Sequence, residues 1–444
     1  MNNMIISKYT FIIPNGNVSI LYNCRNERLA VIDNALANRL TSNLLPQIKQ
    51  NHESFYQFLL DNLYIVSEDI DEFENLKAEW EYKDSNDGNY SIFINTTLDC
   101  NLRCWYCYEE HQKNSILSKE VYTSVTRLIE SKASSTTTKY INLSFFGGEP
   151  LMTTKSIIQP LITDTLDICI RNSIHLNVSF VTNGTLLRTD FIDFLKGCPF
   201  HNPPSFQITL DGNAYIHNKT KFFPSGKGTY QIIIHNIQRL LATGFFVRLR
   251  LNMTDANIDS FVDVISELKE LTTKQKSFLQ IDLQHIWQDQ SASGSEFDTR
   301  QLSIRQYFKE SGFFVNEMKR IDSSRCYADK SNHVTINYNG DLFKCTARDF
   351  RSTNREGVID SQGDLHWNER KSLRDSIKYG NDACRKCNIY PLCHGGCSQY
   401  KLEHQEIVSC IRGYDETYKR KIVEERIDFL LEECNIITKT FNND

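Results

Sequence analysis

From about residue 90 to 300, six short apolar runs alternate with amphipathic stretches of period 3.6. The runs cover residues 91–97, 140–146, 175–182, 205–210, 245–252 and 278–285. Helical patterns lie between them at 118–131, 155–171, 190–196, 230–243 and 259–271. Strands separated by helices cannot pair as hairpins, so this alternation predicts a parallel α/β sheet or barrel. Chemistry in such folds gathers at the carboxyl ends of the strands. The chain places polar, glycine or cysteine residues at each of those ends. Cys100, Cys104 and Cys107 follow the first run and Gly147-Gly148-Glu149-Pro150 the second. Thr182-Asn183-Gly184-Thr185 follows the third and Asp211-Gly212 the fourth. Asn252 and Thr254 end the fifth; His285 and Asp289 follow the sixth.

The cysteine triplet carries the chemistry. Three thiolates within eight residues can hold three irons of a four-iron cluster and leave the fourth iron open. Buried thiols or part of a zinc site are the alternatives that spacing alone leaves. Compartment bears on the choice. The chain has no run of about 18 apolar residues and no charged-then-apolar leader, so it reads as cytoplasmic, with no membrane partner. Its fourteen cysteines are then expected to be reduced and to serve metal rather than disulfides. Cys24, Cys169, Cys198 and Cys434 are scattered and read as structural; the other ten fall in two groups. A formal net charge of -5 argues against a broadly basic nucleic-acid surface. At 444 residues, roughly two or three domains are expected.

With these motifs in this order, the sequence resembles the radical S-adenosylmethionine (SAM) enzymes, which have a six-stranded partial barrel and a CxxxCxxC loop. The resemblance implies that Cys100, Cys104 and Cys107 bind a 4Fe-4S cluster whose open iron is chelated by SAM. Reductive cleavage of SAM would then give a 5′-deoxyadenosyl radical that abstracts hydrogen from substrate. It also implies that Gly147, Gly148 and Glu149 hold the SAM amino group and that Tyr106 lies beside the adenine. Thr182, Asn183, Thr185, Arg250 and Asn252 resemble ribose and carboxylate contacts; a capping role at turns is their alternative. His285 and Asp289 sit where a proton acceptor would be needed, and a satisfied polar strand end is their alternative.

The second cysteine group comprises Cys326, Cys345, Cys384, Cys387, Cys393, Cys397 and Cys410. Paired CxxC-like units suggest zinc when taken alone. Downstream of this barrel, the seven resemble a SPASM domain, which implies two auxiliary 4Fe-4S clusters and three clusters in all. By that domain's interleaved wiring, Cys384, Cys387, Cys393 and Cys410 would hold the outer cluster and Cys326, Cys345 and Cys397 the inner one. Some relatives carry an eighth cysteine upstream of the first; residues 315–325 contain none. The inner cluster would thus have an open iron or a ligand such as Asp322 or Asp329.

Residues 1–85 read as a small winged-helix-like α/β module, with strands at 9–14, 18–23 and 28–33, helices at 34–48 and 53–62, and a closing strand at 63–67. The charged stretch 69–87 reads as a connector, and 414–433 as an amphipathic helix. The expected organisation is thus a peptide-recognition-like module at 1–85, a partial (β/α)6 radical SAM core at 86–305 and a SPASM domain at 306–444. The module's size and position resemble the precursor-recognition element of peptide maturases. The leading expectation is an enzyme that cross-links a ribosomally made precursor peptide bearing a leader, through a thioether or carbon–carbon bond. It would draw electrons from a donor such as flavodoxin or ferredoxin. The rivals are an anaerobic sulfatase maturase that makes formylglycine and, from another class, a non-catalytic zinc scaffold.

Overall fold

The computed structural model of the chain describes residues 3–289, 295–316 and 325–433. They form two compact units. One holds residues 85–289, 295–316 and 331–371; the other holds 3–84, 325–330 and 372–433. Among the described residues no cysteine is in a disulfide, and no helix is long and apolar enough to cross a membrane.

The larger unit is built on six parallel strands adjacent in chain order: β1 (Asn89–Asn95), β2 (Tyr140–Phe146), β3 (His175–Thr182), β4 (Ser205–Leu210), β5 (Phe246–Met253) and β6 (Leu279–His285). Their register aligns Ile92 with Leu143, Leu143 with Val178, Phe180 with Phe206, and Leu249 with both Ile208 and Ile281. Alternate residues are buried throughout β3 and β4, because the pleat sends successive side chains to opposite faces; the other four strands bury consecutive residues over part of their length. Phe145, Phe180 and Phe206 stack in sequence, with ring centroids 5.3 and 4.8 Å apart. Helices Lys119–Ala133, Gln159–Arg171, Thr189–Gly197, Tyr230–Ala242 and Phe261–Leu268 bury their apolar stripes in the same core. This is the α/β partial barrel expected from the alternation. Beyond β1 the sheet continues with a parallel strand, His333–Ile336, and three antiparallel ones ending at Leu365–Trp367.

The smaller unit opens with a three-stranded antiparallel sheet, Thr10–Asn15, Val18–Asn23 and Arg28–Asp33. Gly16, at φ 60°, supplies the left-handed residue that the first two-residue turn requires. The helix expected at 34–48 is two helices, Asn34–Thr41 and Leu45–Asn51. Asn43 at φ 57° and Pro46 in the first turn of the second helix break it. Ile65–Ser67 pairs with Met4–Ile6 in a separate two-stranded sheet. The stretch read as a connector is the helix Glu72–Asn86, which buries Phe73, Leu76 and Trp80. Those side chains join Tyr9 and Tyr22 in one core with Ile389, Tyr390, Leu392 and, from the helix Glu416–Glu433, Ile422, Val423 and Ile427.

Candidate active site

After β1 the chain passes through buried Thr96, Thr97 and Leu98 into the cysteine loop. Asp99 serves two partners there. Its carboxylate accepts the Cys100 N–H (2.8 Å), and its carbonyl accepts the Glu149 N–H (2.8 Å), tying the loop after β1 to the loop after β2. Gly148 has φ 49°, and a Cβ on it would collide with that Asp99 carbonyl. Gly147 has φ 81°, and its Cβ would lie 2.7 Å from the Asn95 side chain. Only glycine lets these two loops approach so closely.

Glu149 is completely buried. Its Oε1 accepts the Thr182 hydroxyl (2.7 Å) and the Leu151 N–H (3.0 Å), and its Oε2 accepts the Asn183 N–H (2.8 Å). Burial raises its pKa to about 7 in spite of those bonds. A carboxylate offers about four lone-pair sites, so about one is left for a cationic ligand. The Asn183 side chain donates to Asn101 Oδ1 (2.8 Å), lies 3.8 Å from Cys100 Sγ and accepts the Thr185 hydroxyl (2.6 Å). Thr182, Asn183, Thr185 and Glu149 thus share one hydrogen-bonded net with the start of the cysteine loop.

Burial raises the Cys100 thiol to about 12 and the Cys107 thiol to about 11. It raises Cys104 as well, against the opposing charge of Lys221. Among the described residues no three Cys, His, Asp or Glu side chains already converge on one ion. The loop fits a metal cluster through its donors: three soft sulfurs that a coordinated metal would deprotonate outright, on a loop that Gly147 and Gly148 let the next strand end approach closely.

Tyr106 donates its hydroxyl to Asp211 Oδ1 (2.8 Å), and Asp211 Oδ2 faces Lys221 Nζ at 3.2 Å. The Asp211 N–H donates to His217 Nδ1 (3.2 Å). Burial lowers the His217 pKa to about 4. Asp211, His217 and Lys221 are all buried; the sequence flagged Asp211 as a strand end, but nothing marked the other two. Glu109 was also missed. Its Oε2 accepts the Gly148 N–H (2.6 Å), and burial raises its pKa to about 7; adjacency to the cysteine loop was its only signal.

At the end of β5, Arg250 Nε donates to Asn252 Oδ1 (2.9 Å), and Asn252 is buried. His285 Nε2 lies 3.2 Å from the Asp289 carbonyl oxygen, with its ring 5.1 Å from Phe297. The Asp289 carboxylate accepts the Asp255 N–H (3.0 Å), which holds the turn after β6.

In the smaller unit Cys384, Cys387, Cys393 and Cys410 line one cavity with Tyr390 and Lys419. Gly395, at φ 74°, opens onto it; a Cβ there would lie 3.6 Å from Cys384 Sγ. Lys401 Nζ donates to Cys384 Sγ at 3.4 Å. Four thiols around a space that glycine keeps open fit a cluster. Cys326 and Cys397 belong to this unit and Cys345 to the larger one. The Cys397 sulfur accepts the Tyr400 N–H (3.4 Å) at a helix start. The Asp329 carboxylate is buried 3.6 Å from Lys378 Nζ, whose pKa burial lowers to about 8. Asp322 and Cys434 lie outside the described residues.

Residues 94–268 match the radical SAM superfamily. The chain is 25% identical over 340 residues to a cysteine-type anaerobic sulfatase-maturating enzyme of Clostridium novyi (strain NT), covering 68% of this chain and 86% of that protein. It is 21% identical over 240 residues to the antilisterial bacteriocin subtilosin biosynthesis protein AlbA of Bacillus subtilis (strain 168), covering 52% and 49%. The crystal structure of Streptococcus suis SuiB bound to S-adenosylmethionine superposes with a TM-score of 0.51 at 15% identity, covering 91% of this chain and 97% of that one.

Proposed function

Because the chain carries a radical SAM domain, we propose that it is a peptide maturase that cross-links a ribosomally made precursor. The observation that carries this reading is the antiparallel sheet-and-helix module of residues 3–67 on the same chain as that domain. The fold likeness to SuiB extends over 91% of the chain. The relation to AlbA, named for bacteriocin biosynthesis, supports a peptide substrate.

Cys100, Cys104 and Cys107 would hold the cluster that, with SAM bound, would supply the hydrogen-abstracting radical. The chain's own residues do the rest. Gly147 and Gly148 let the backbone after β2 approach the cysteine loop closely, and Glu149 offers its remaining lone pair to an ammonium. Thr182, Asn183, Thr185, Arg250 and Asn252 orient the nucleoside and carboxylate, and Tyr106 flanks the adenine. Bond formation removes two hydrogens from the peptide, one as an atom and one as a proton plus an electron. His285 takes the proton, with Asp289 as the alternative acceptor. Cys384, Cys387, Cys393 and Cys410 would hold an outer auxiliary 4Fe-4S cluster and Cys326, Cys345 and Cys397 an inner one, which would supply an acceptor for that electron. Asp322 or Asp329 is the candidate further ligand of the inner cluster, and a flavodoxin or ferredoxin would be the electron donor. In this division of labour residues 1–85 recognise the leader, 86–305 generate the radical and 306–444 carry the electron.

The sheet edge Arg28–Asp33 is the place for a leader to add as a further strand, because Val31 there is 61% exposed. The test is Val31→Glu. SAM cleavage without peptide should stay at the wild-type level, while the Kd for a leader encoded beside this gene rises about tenfold, some 1.4 kcal/mol. Unchanged leader affinity would remove the recognition role. Sulfatase maturation is the second reading, favoured by the Clostridium novyi alignment. An aldehyde formed on a Cys- or Ser-containing sulfatase peptide, with no cross-link in the precursor, would establish it instead.

A further inference from the structure

Lys401 has no evident reason to be where it is. It is 4% exposed, on the short helix Ser398–Glu403, and among the described residues its ammonium meets no carboxylate. Its recorded hydrogen bond is to Cys384 Sγ, at 3.4 Å. A buried cation is costly unless an anion faces it. A neutral thiol is a poor acceptor for an ammonium, and a thiolate carrying cluster charge is a good one. Lys401 reaches the cavity through the Cys384 sulfur; the cations that line the cavity itself are Arg412, which is exposed, and Lys419, which is already paired with Glu416 at 2.6 Å. Gly395 completes the arrangement: a Cβ on it would lie 3.3 Å from Lys401 Nζ, so glycine keeps the ammonium's approach to the sulfur open.

We infer that Lys401 sets the reduction potential of the outer auxiliary cluster by holding its ammonium against the Cys384 sulfur, so that this cluster serves as an electron acceptor during cross-linking. The inference rests on the reading that Cys384, Cys387, Cys393 and Cys410 hold that cluster. Reduction adds one electron to the cluster and leaves its bonds to the four sulfurs in place. The added negative charge is stabilised by a fixed cation at hydrogen-bond distance, and both net charge and hydrogen bonds to sulfur move cluster potentials. Removing the cation therefore makes reduction harder.

The experiment uses the full-length chain, reconstituted anaerobically with iron and sulfide, with Cys100, Cys104 and Cys107 replaced by alanine to silence the first cluster. Redox titration followed by electron paramagnetic resonance compares this background with Lys401→Met and Lys401→Arg. Lys401→Met should retain its iron and lower one auxiliary midpoint potential by at least tenfold in the reduction equilibrium, ~59 mV for a one-electron couple. Lys401→Arg should restore most of the shift. An unchanged potential in Lys401→Met at full iron content overturns the inference, as does equal loss of iron from both variants, which would make Lys401 a packing residue. Iron content that is insensitive to Cys384→Ala with Cys387→Ala would instead remove the cluster assignment beneath it.

Discussion

Glu149 and His217 are both buried and titratable, and their surroundings put them to opposite uses. Glu149 takes three hydrogen bonds from Thr182, Leu151 and Asn183, so its carboxylate is oriented before any ligand arrives. His217 is neutral because burial outweighs the nearby Asp211 carboxylate, and its Nδ1 accepts the Asp211 N–H while Nε2 meets the Thr229 hydroxyl at 3.1 Å. It thereby holds the backbone under the Tyr106–Asp211–Lys221 chain. The pH consequence follows from its pKa of about 4 against 6.5 for an unperturbed histidine. Between those values the unfolded chain binds more protons than the folded one, so stability rises with pH. The contribution is complete above about 6.5 and is lost as pH falls toward 4, an effect on the order of 3 kcal/mol. His217→Gln keeps a group able to accept and donate without titrating. Thermal unfolding followed from pH 7 to pH 4.5 should show the wild-type Tm falling more steeply than the variant's. Parallel curves would show that His217 does not titrate in that window.

Among the elements, the helix Glu72–Asn86 is the one its sequence hides. Phe73, Leu76 and Trp80 are its large buried apolar side chains, spaced i, i+3 and i+7 within a run otherwise dense in charge. Trp80 lies 5.6 Å from the Tyr390 ring and 5.2 Å from His394, and the Arg325 guanidinium stacks on it at 5.1 Å while pairing with Asp84 at 2.9 Å. Trp80→Ala should cost about 3–5 kcal/mol in the smaller unit. Hydrogen exchange read by mass spectrometry should then show faster exchange in segments 18–23 and 416–433 and unchanged protection in β1–β6. Uniform deprotection, or none, would contradict the packing. The six parallel strands were legible because each is a short apolar run with a marked end, and two of them, His175–Thr182 and Ser205–Leu210, also alternate regularly in burial. The helix at 72–86 was not, since three apolar positions among acids and lysines give little periodic signal. The glycine cradle was visible as Gly147-Gly148, whereas Lys221 and Lys401 were invisible: a lysine's burial is decided by distant chain segments, not by its neighbours in sequence.

At the scale of the whole molecule, the first and last segments of the chain form one body. Tyr9 and Tyr22 from the first sheet and Phe73 and Trp80 from the following helix share a core with Ile389, Tyr390 and Leu392, which sit among the outer cysteines, and with Ile422 and Val423. The Cys24 thiol donates to the Asn388 carbonyl (3.1 Å), one residue past Cys387, and Arg385, one residue past Cys384, pairs with Glu74 at 2.6 Å. A leader-binding module that could be removed without consequence would not be built this way. Deleting residues 1–84 strips one wall from that core and exposes several large aromatic side chains, each worth roughly 1.5–3 kcal/mol of burial. The truncated chain should therefore lose the iron held by Cys384, Cys387, Cys393 and Cys410, about four irons per chain, along with any leader affinity. The motifs at β1–β3 are untouched by the deletion, so SAM binding at the first site should persist. Iron analysis and SAM titration of the reconstituted truncation distinguish the outcomes. Full auxiliary iron in the truncated chain would mean that the shared core does not hold the outer cysteines. Loss of leader binding in the truncation therefore cannot by itself assign recognition to the module, which is why a point change at Val31 is the sharper test of that role.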